Sequence, residues 1–317
     1  MITSNEPDRH EILVRPDSVS LVPKIINQFD EPFADSSAIP TFIVSEFAAQ
    51  QVKVALTGDG GDELFGGYES FLEIGRRRVF DGIPLPVRHV ASTVADWLPY
   101  SSYGKNYLRM LSRPSGLERY FESNYVPYFL RKALLQPEWM LPADAAFLRQ
   151  TFSDYLLPNG ADVLTQAMYF EATANLTGDM LVKVDRMSMA NSLEVRCPLL
   201  DQELADVAES IPPSLKIQNG RGKHILVRAL GDRLPPELLQ RRKMGFGMPL
   251  AAWFRGPLRN MVWDHLTGHQ FLARDIVSPS FVRRLLEEHQ TGRRDNNGWI
   301  WALLVLELWY SNLESRA

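Results

Sequence analysis

The segment VKVALTGDGGDELFGGY, residues 52–68, carries the clearest fold signal in the chain. Its first five residues, 52–56, are apolar except for one lysine and predict a buried β-strand. The glycines that follow end the strand in a turn, and Leu64 and Phe65 mark the start of a helix. A strand, a glycine-rich turn and a helix in this order are typical of α/β proteins that bind ligands at the carboxyl ends of parallel strands.

The segments that precede this turn in the sequence predict one more strand and two helices. Residues 11–14 predict a short strand, residues 18–29 have the apolar spacing of a helix, and a second helix is predicted to end near Gln50. The longer part that follows lacks clear strand signals. We therefore assign residues 1–75 to an α/β part and residues 76–317 to a mainly helical part of the same domain.

Helical signals dominate three stretches of the second part, at residues 108–131, 163–189 and 299–309. The last of them, WIWALLVLELW, is apolar nearly all round and predicts a buried helix. The predicted fold class is α/β, with a parallel-sheet core and a large α-helical C-terminal portion.

Bulk composition excludes several classes of protein. With 34 Lys and Arg against 38 Asp and Glu the net charge is -4, which gives no basic field for nucleic acid. The single cysteine, Cys197, allows no intrachain disulfide and suits a reducing compartment, so we expect the cytoplasm. The sequence begins without a secretory signal, and its apolar runs are too short to predict a transmembrane segment.

The turn after the central strand combines glycines with acids. Five glycines lie within residues 58–67, together with Asp59, Asp62 and Glu63. Glycines let backbone amides approach an anion, but acids beside phosphates repel them unless a cation lies between. The pattern favours a magnesium-nucleotide site and fits an EF-hand calcium loop poorly. The alternative is a tight turn in which Asp62 or Glu63 merely caps a helix.

Four sequence blocks, in order, resemble the synthetase domain of glutamine-dependent asparagine synthetases. They are DEPFADSSAIPT at 30–41, LTGDGGDELFGGY at 56–68, VDRMSMA at 184–190 with LEVRCPLLD at 193–201, and KHILVR at 223–228 with RRKMGFGMP at 241–249. Four ordered blocks are far more specific than one motif. The resemblance implies a truncated nucleotide-binding core of the adenine nucleotide α-hydrolase or ATP-pyrophosphatase type.

The resemblance also implies the reaction and its ligands. Family members use ATP to join the side-chain carboxylate of aspartate to AMP with loss of pyrophosphate, and ammonia then displaces AMP to give asparagine. Adenylation is needed because a carboxylate is a poor electrophile until one oxygen becomes a good leaving group. The implied cofactors are ATP and Mg²⁺, and a homodimer is one possible assembly.

Roles carry over by resemblance to residues of this sequence. Asp62 is the expected magnesium ligand, and Asp59 takes an acidic position close to the acyl-adenylate, where many members carry glutamate. Lys243 precedes a flexible glycine segment and is expected to close over the leaving pyrophosphate, although an isolated Arg-Arg-Lys is usually only a solvated basic run. The expected nucleotide-binding residues are Thr57, Gly58, Gly60, Gly61 and the weaker candidate Lys223.

The roles expected for other polar residues in the matched blocks are less specific. Asp185, Arg186 and Glu194 lie in an apolar stretch, so we expect them either to pair with one another or to line the site. Cys197 is expected to be a small buried apolar residue, because the catalytic cysteine of the family belongs to a separate glutaminase domain.

Two features of the family are not found in these residues. Neither the glutaminase domain that would supply ammonia nor the Ser-Gly-Gly-x-Asp-Ser pyrophosphate loop occurs, so we expect a fragment that is inactive by itself. Two alternatives stay open. One is a ligase of the same family acting on another acid, as in surface-polysaccharide or β-lactam formation, and the other is a non-catalytic remnant that binds a partner.

Overall fold

The computed structural model describes residues 10, 21–98, 102, 104–111, 113, 116–124, 128–140, 153–157, 161–234 and 245–316. This part of the chain is mostly helical. Its α-helices are α1 Val22–Ile26, α2 Ala38–Ala49, α3 Gly61–Phe65, α4 Glu69–Arg77, α5 Leu85–Trp97, α6 Lys105–Leu111, α7 Gly116–Asn124, α8 Tyr128–Leu134, α9 Val163–Phe170, α10 Leu181–Met189, α11 Gln202–Ser210, α12 Pro213–Lys216, α13 His224–Leu230, α14 Leu250–Arg255, α15 Arg259–Thr267, α16 His269–Ala273, α17 Pro279–Gln290 and α18 Asn297–Arg316. A π-helix, Glu171–Met180, joins α9 to α10.

Two short parallel strands form the sheet found in the described residues. Strand β1, Val54–Leu56, pairs with β2, Glu194–Arg196, and Val54 lies opposite Glu194. The pairing joins the predicted α/β part to the mainly helical part. A parallel pair needs a long crossover, and here the chain from α3 to α10 supplies it.

The prediction that residues 52–56 form a buried strand was wrong in two respects. The strand starts at Val54, and it is largely exposed, with Leu56 70% accessible. Parallel sheets are usually buried because helices cover both faces. In the described part of the chain β1 has one partner strand, β2, so its apolar side chains keep contact with solvent.

The largest hydrophobic core packs α1 and α2 against the C-terminal helices α14 to α18. Ile39 and Phe42 of α2 are fully buried there. Burying such side chains typically contributes about 1.5 to 3 kcal/mol each. From α18, Trp301 and Leu304 enter the same core, which confirms the predicted buried helix at residues 299–309.

A second core lies behind the glycine-rich turn. It packs aromatic and aliphatic residues of α4, α7 and α9 against one another, and its members include Phe71, Ile74, Phe121, Met168 and Phe170. The Phe121 and Phe170 rings meet edge to face with centroids 4.7 Å apart. This core fixes the helices that follow the turn relative to those that lead into the π-helix.

The remaining helix predictions hold to different degrees. Residues 163–189 are helical throughout, as predicted, but the middle of the stretch has π geometry. The stretch 108–131, predicted to be helical, contains the end of α6, all of α7 and the start of α8, and in the sequence Pro114, a helix breaker, stands between the first two. The predicted strand 11–14 lies outside the described residues. No helix in the described ranges is long and apolar enough to cross a membrane.

Candidate active site

The turn after β1 starts as a continuation of the sheet. The backbone N–H of Thr57 donates to the carbonyl of Arg196 at 2.9 Å, so the parallel pairing extends one residue past β1. The Thr57 hydroxyl then donates to Asp59 Oδ2 at 2.7 Å. Since a hydroxyl has one proton to donate, the Cys197 thiol, 3.3 Å away, donates to Thr57 Oγ1. Asp59 is thus held at the carboxyl ends of both strands.

Cys197 differs from the buried apolar residue that the sequence predicted. It is half-buried, and its thiol contacts a polar side chain of the turn. It follows β2 directly, as Thr57 follows β1, and this parallel register explains their contact.

Two glycines in the left-handed region shape the turn. Gly60 has φ +86° and precedes α3, and Gly66 has φ +72° and ends it. A Cβ on Gly60 would lie 2.1 Å from Leu200 Cδ2, closer than two carbon atoms can approach. A residue with a side chain would therefore be strained at Gly60 in both backbone conformation and packing. Gly58 differs, because no atom of the described residues lies within 4 Å of its Cβ position, which leaves open space beside it among them.

Asp62 lies in the first turn of α3 and contacts Lys223. The Lys223 ammonium is 3.0 Å from Asp62 Oδ1, and the two side chains are 32% and 27% accessible. The Oδ1 atom itself is buried, and the ammonium approaches it as a charge rather than as an aligned hydrogen-bond donor. Lys223 comes to this position because its backbone N–H donates to the carbonyl of Phe65 at 2.9 Å.

Behind the turn, buried acids are paired with tyrosines. Glu63 is 3% accessible and accepts a hydrogen bond from the Tyr68 hydroxyl. Burial and then the neighbouring carboxylates, Glu63 first, hold the pKa of Tyr68 above its usual value, so the phenol keeps its proton. In the same way Glu171 of the π-helix accepts from the Tyr120 hydroxyl at 2.6 Å. These hydrogen bonds let two carboxylates lie in a low-dielectric region.

A second acidic cluster lies between α2 and the end of the π-helix. Lys183 Nζ is 2.6 Å from Asp35 Oδ2, and the Ser37 hydroxyl donates to the same oxygen at 2.6 Å. Burial works to raise the pKa of Asp35, but the Lys183 charge and these hydrogen bonds outweigh it and lower that pKa. Burial and the Asp35 charge raise the pKa of Asp179 to about 6.

This second cluster was not predicted from the sequence. Asp35 belongs to a matched block, but nothing near it in sequence indicated its partner. The spacing of Asp179 and Lys183, four residues apart on a predicted helix, was the available signal. A π-helix of ten residues is rare, and π segments occur frequently at functional sites.

Three charged residues expected in a buried stretch are exposed instead. Arg186 contacts Asp30 at 2.6 Å, and Glu194 contacts Arg196 at 2.8 Å. Asp185 also faces solvent. Of the two alternatives, pairing with one another was wrong, because α10 turns Asp185 and Arg186 outward while the short strand β2 leaves Glu194 exposed. That they line the site stays a prediction.

Six of the predicted site residues are consecutive in sequence, and two lysines lie elsewhere in the chain. Thr57 to Gly60 form the loop after β1, Gly61 and Asp62 begin α3, and Lys223 contacts Asp62. Lys243 lies outside the described residues. That it reaches this loop, and that Asp59 and Asp62 face one cleft, remain predictions.

The donor atoms of the turn fit a magnesium ion that is shared with a phosphate. Among the described residues no group of three or more His, Cys, Asp or Glu side chains converges to hold a metal alone. Mg²⁺ is commonly bound by one or two carboxylates together with water and substrate phosphates. Asp59 and Asp62 offer such carboxylates, and a Cβ at Gly67 would lie 1.9 Å from Asp62 Oδ1, so only glycine fits beside that oxygen.

Comparison with known proteins agrees with the motifs. A model of the family described as asparagine synthase matches residues 3–311. Asparagine synthetase [glutamine-hydrolyzing] 1 of Bacillus subtilis is 33% identical over 301 residues, which cover 93% of this chain and 46% of that protein. A putative asparagine synthetase [glutamine-hydrolyzing] of Mycobacterium tuberculosis H37Rv is 35% identical over 92% of this chain and 44% of its own length.

A more distant relative carries a different name. Amidase chry2 of Gibberella zeae is 25% identical over 258 residues, or 74% of this chain and 38% of that protein. The chain spans less than half the length of these curated relatives. Because the family model covers nearly all of the sequence, the chain belongs to the asparagine synthase family.

Proposed function

We propose that the chain is the synthetase part of an ATP-dependent amide ligase that converts aspartate to asparagine. The observation that carries the proposal is the acidic glycine turn, which places Asp59 and Asp62 after a parallel strand with Lys223 in contact with Asp62. Ligands bind at the carboxyl ends of strands in this class of fold. Family membership supports the same function.

In the proposed reaction a side-chain carboxylate oxygen of aspartate attacks the α-phosphorus of ATP. The bond to the leaving pyrophosphate breaks, which leaves aspartyl-AMP. Ammonia then attacks the acyl carbon, AMP departs with the electrons of the carbon–oxygen bond, and one proton is lost from nitrogen. In relatives named as glutamine-hydrolysing the ammonia comes from glutamine, and we propose the same source for this protein.

The turn contributes binding and charge to these steps. Asp62 would hold Mg²⁺, which when bound neutralises charge on the phosphates, and Asp59 is proposed to lie close to the acyl-adenylate. The open side of Gly58 lets backbone approach a phosphate group closely. Lys243 is proposed to meet the charge that develops on pyrophosphate as it leaves. The Thr57 hydroxyl and the Cys197 thiol keep Asp59 at the strand ends.

The proposal is tested by exchange of labelled pyrophosphate into ATP, which reports adenylation without a need for ammonia. The protein should be produced from its natural gene, with any in-frame upstream sequence. Exchange should depend on aspartate and magnesium, and Asp62→Asn should reduce it by on the order of 100-fold or more. Glu69→Gln is the matched control, because Glu69 is exposed on α4 just beyond the turn and should leave exchange unchanged.

Two outcomes would favour the alternatives. Exchange with another carboxylic acid, and none with aspartate, would identify a ligase of the same family with a different substrate. The absence of exchange with every acid, in a folded protein that carries all its upstream sequence, would favour a non-catalytic remnant.

The 317-residue chain alone is expected to form neither AMP nor asparagine from ATP, aspartate and ammonia. The Ser-Gly-Gly-x-Asp-Ser motif of the family does not occur in it. Without that loop the pyrophosphate lacks a backbone cradle and one carboxylate for magnesium. We place the reaction in the cytoplasm, and a homodimer stays a proposal that sedimentation would test.

A further inference from the structure

Lys223 is attached to the acidic turn by its backbone as well as its side chain. Its N–H donates to the carbonyl of Phe65, and its φ of +55° lies in the left-handed region, which is uncommon for lysine. The preceding Gly222 packs so closely that a Cβ there would lie 2.1 Å from the Gly66 carbonyl oxygen. The lysine backbone is therefore fixed against the turn, and its long side chain is the part that can move.

The side chain crosses the turn over two glycines. A Cβ on Gly67 would lie 2.4 Å from Lys223 Cε, and a Cβ on Gly61 would lie 3.4 Å from its Nζ. Glycines at these two positions leave room for the lysine side chain to cross the turn. The ammonium then reaches the buried Oδ1 of Asp62 at 3.0 Å, while about a third of the lysine side chain stays accessible to solvent.

The ion pair places a cation on the carboxylate that the proposed function assigns to magnesium. The turn carries acids at Asp59, Asp62 and Glu63, and a cation beside Asp62 reduces the repulsion among these like charges. An ammonium and Mg²⁺ cannot both occupy the same side of one carboxylate oxygen. Lys223 must leave Asp62 Oδ1 when a metal binds there, and a flexible lysine can then face a phosphate.

We propose that Lys223 is a positioning residue that exchanges with the divalent cation. Without nucleotide its ammonium balances Asp62 and competes with the metal. With magnesium and ATP it moves from Asp62 to a phosphate oxygen. This inference rests on the proposed function, since it takes Asp62 as the metal ligand, but it concerns the order and competition of binding rather than the reaction.

Metal binding tests the exchange without an activity assay. Free Mn²⁺ is titrated, in the absence of nucleotide, into the protein produced from its natural gene, and binding is followed by electron paramagnetic resonance. Lys223→Met keeps the apolar stem and removes the charge, so it should bind Mn²⁺ roughly 5-fold more tightly than the unmodified chain, as expected from a partly exposed ion pair of about 1 kcal/mol. Lys223→Arg keeps the charge and should not tighten binding.

A second titration uses Mn²⁺ with ATP, and the effect should reverse. Lys223→Met should then bind several-fold more weakly, because a contact to phosphate is lost. Equal or weaker Mn²⁺ binding by Lys223→Met without ATP would overturn the exchange, and so would tighter binding in both titrations. Thermal melting of each variant checks that it folds.

Asp62→Asn separates this inference from the proposed function. If Asp62→Asn leaves Mn²⁺ binding unchanged, the metal assignment of the proposed function fails and the exchange fails with it. If Asp62→Asn removes binding while Lys223→Met has no effect, the exchange alone is wrong.

Discussion

Replacing Asp179 with asparagine should remove a pH-dependent loss of stability. The Asp179 carboxyl faces the Asp35 carboxylate, the Lys183 ammonium and, further along the π-helix, Glu171. Burial comes first among the causes that raise its pKa from 3.8 to about 6, followed by the charge of Asp35. When protonated, Asp179 is a hydrogen-bond partner of Asp35. Asparagine keeps the shape and the donor but cannot ionise.

The sign follows from the direction of the shift. A folded pKa above the unfolded one gives stability that is fully present below about pH 4 and is lost as the pH rises through about 6. The shift of about 2 pKa units corresponds to at most about 3 kcal/mol, and solvent around the half-buried carboxyl reduces this to roughly 1 to 2 kcal/mol. The lowered pKa of Asp35 acts in the opposite sense, but at more acidic pH.

Urea unfolding at pH 5 and pH 8 measures the effect. At pH 8 Asp179→Asn should be more stable than the unmodified chain by roughly 1 to 2 kcal/mol, and at pH 5, which lies between the unfolded and folded pKa values, the difference should be roughly half as large. Asp264→Asn, at an exposed position on α15, is the matched control and should show no pH-dependent difference. A stability difference for Asp179→Asn that is the same at both pH values would refute the reasoning.

Three further changes test the turn and its surroundings. Gly222→Ala should destabilise the chain by about 1 to 3 kcal/mol in urea unfolding, because its Cβ meets a backbone oxygen. Gly231→Ala should be close to neutral, because none of the residues that the structure describes has an atom within 4 Å of its Cβ position. Tyr120→Phe should lower the free energy of unfolding by about 1 to 3 kcal/mol, because it removes the 2.6 Å hydrogen bond that buried Glu171 accepts. Unchanged stability would show that this hydrogen bond is dispensable. In the protein from the natural gene, Lys243→Ala should lower pyrophosphate exchange on the order of 100-fold or more with little change in ATP affinity. An unchanged exchange rate would mean that Lys243 is only part of a solvated basic segment.

The sequence predicted local features well and the partners of those features poorly. The glycine turn could be placed because its residue types act locally: Gly60 and Gly66 adopt the left-handed conformations that glycine favours. The buried helix at residues 299–309 could be placed because its apolar residues cover every side. By contrast, β2 has only three residues, too few for a periodic signal, and its pairing joins residues 140 apart in sequence.

Most features of the candidate site that the sequence did not predict are contacts between residues far apart in the chain. The ion pair of Lys183 and Asp35 joins positions 148 apart, and no pattern within either block indicates it. The apolar neighbours of Asp185 and Glu194 predict that both are buried, but both are exposed. Which side of α10 faces the core depends on how α2 packs against it, and sequence spacing alone did not resolve that.

The exposed two-stranded sheet has a consequence for the protein at high concentration. In the described part of the chain both strands are edge strands, and exposed strand edges are templates for pairing between molecules. Here each strand has three residues, and Lys53, Glu194 and Arg196 place charges beside the exposed Leu56. Short, charged edges resist intermolecular pairing. Since salt screens such charges, we expect self-association through this edge to increase with ionic strength and to be relieved by a charged residue in place of Leu56.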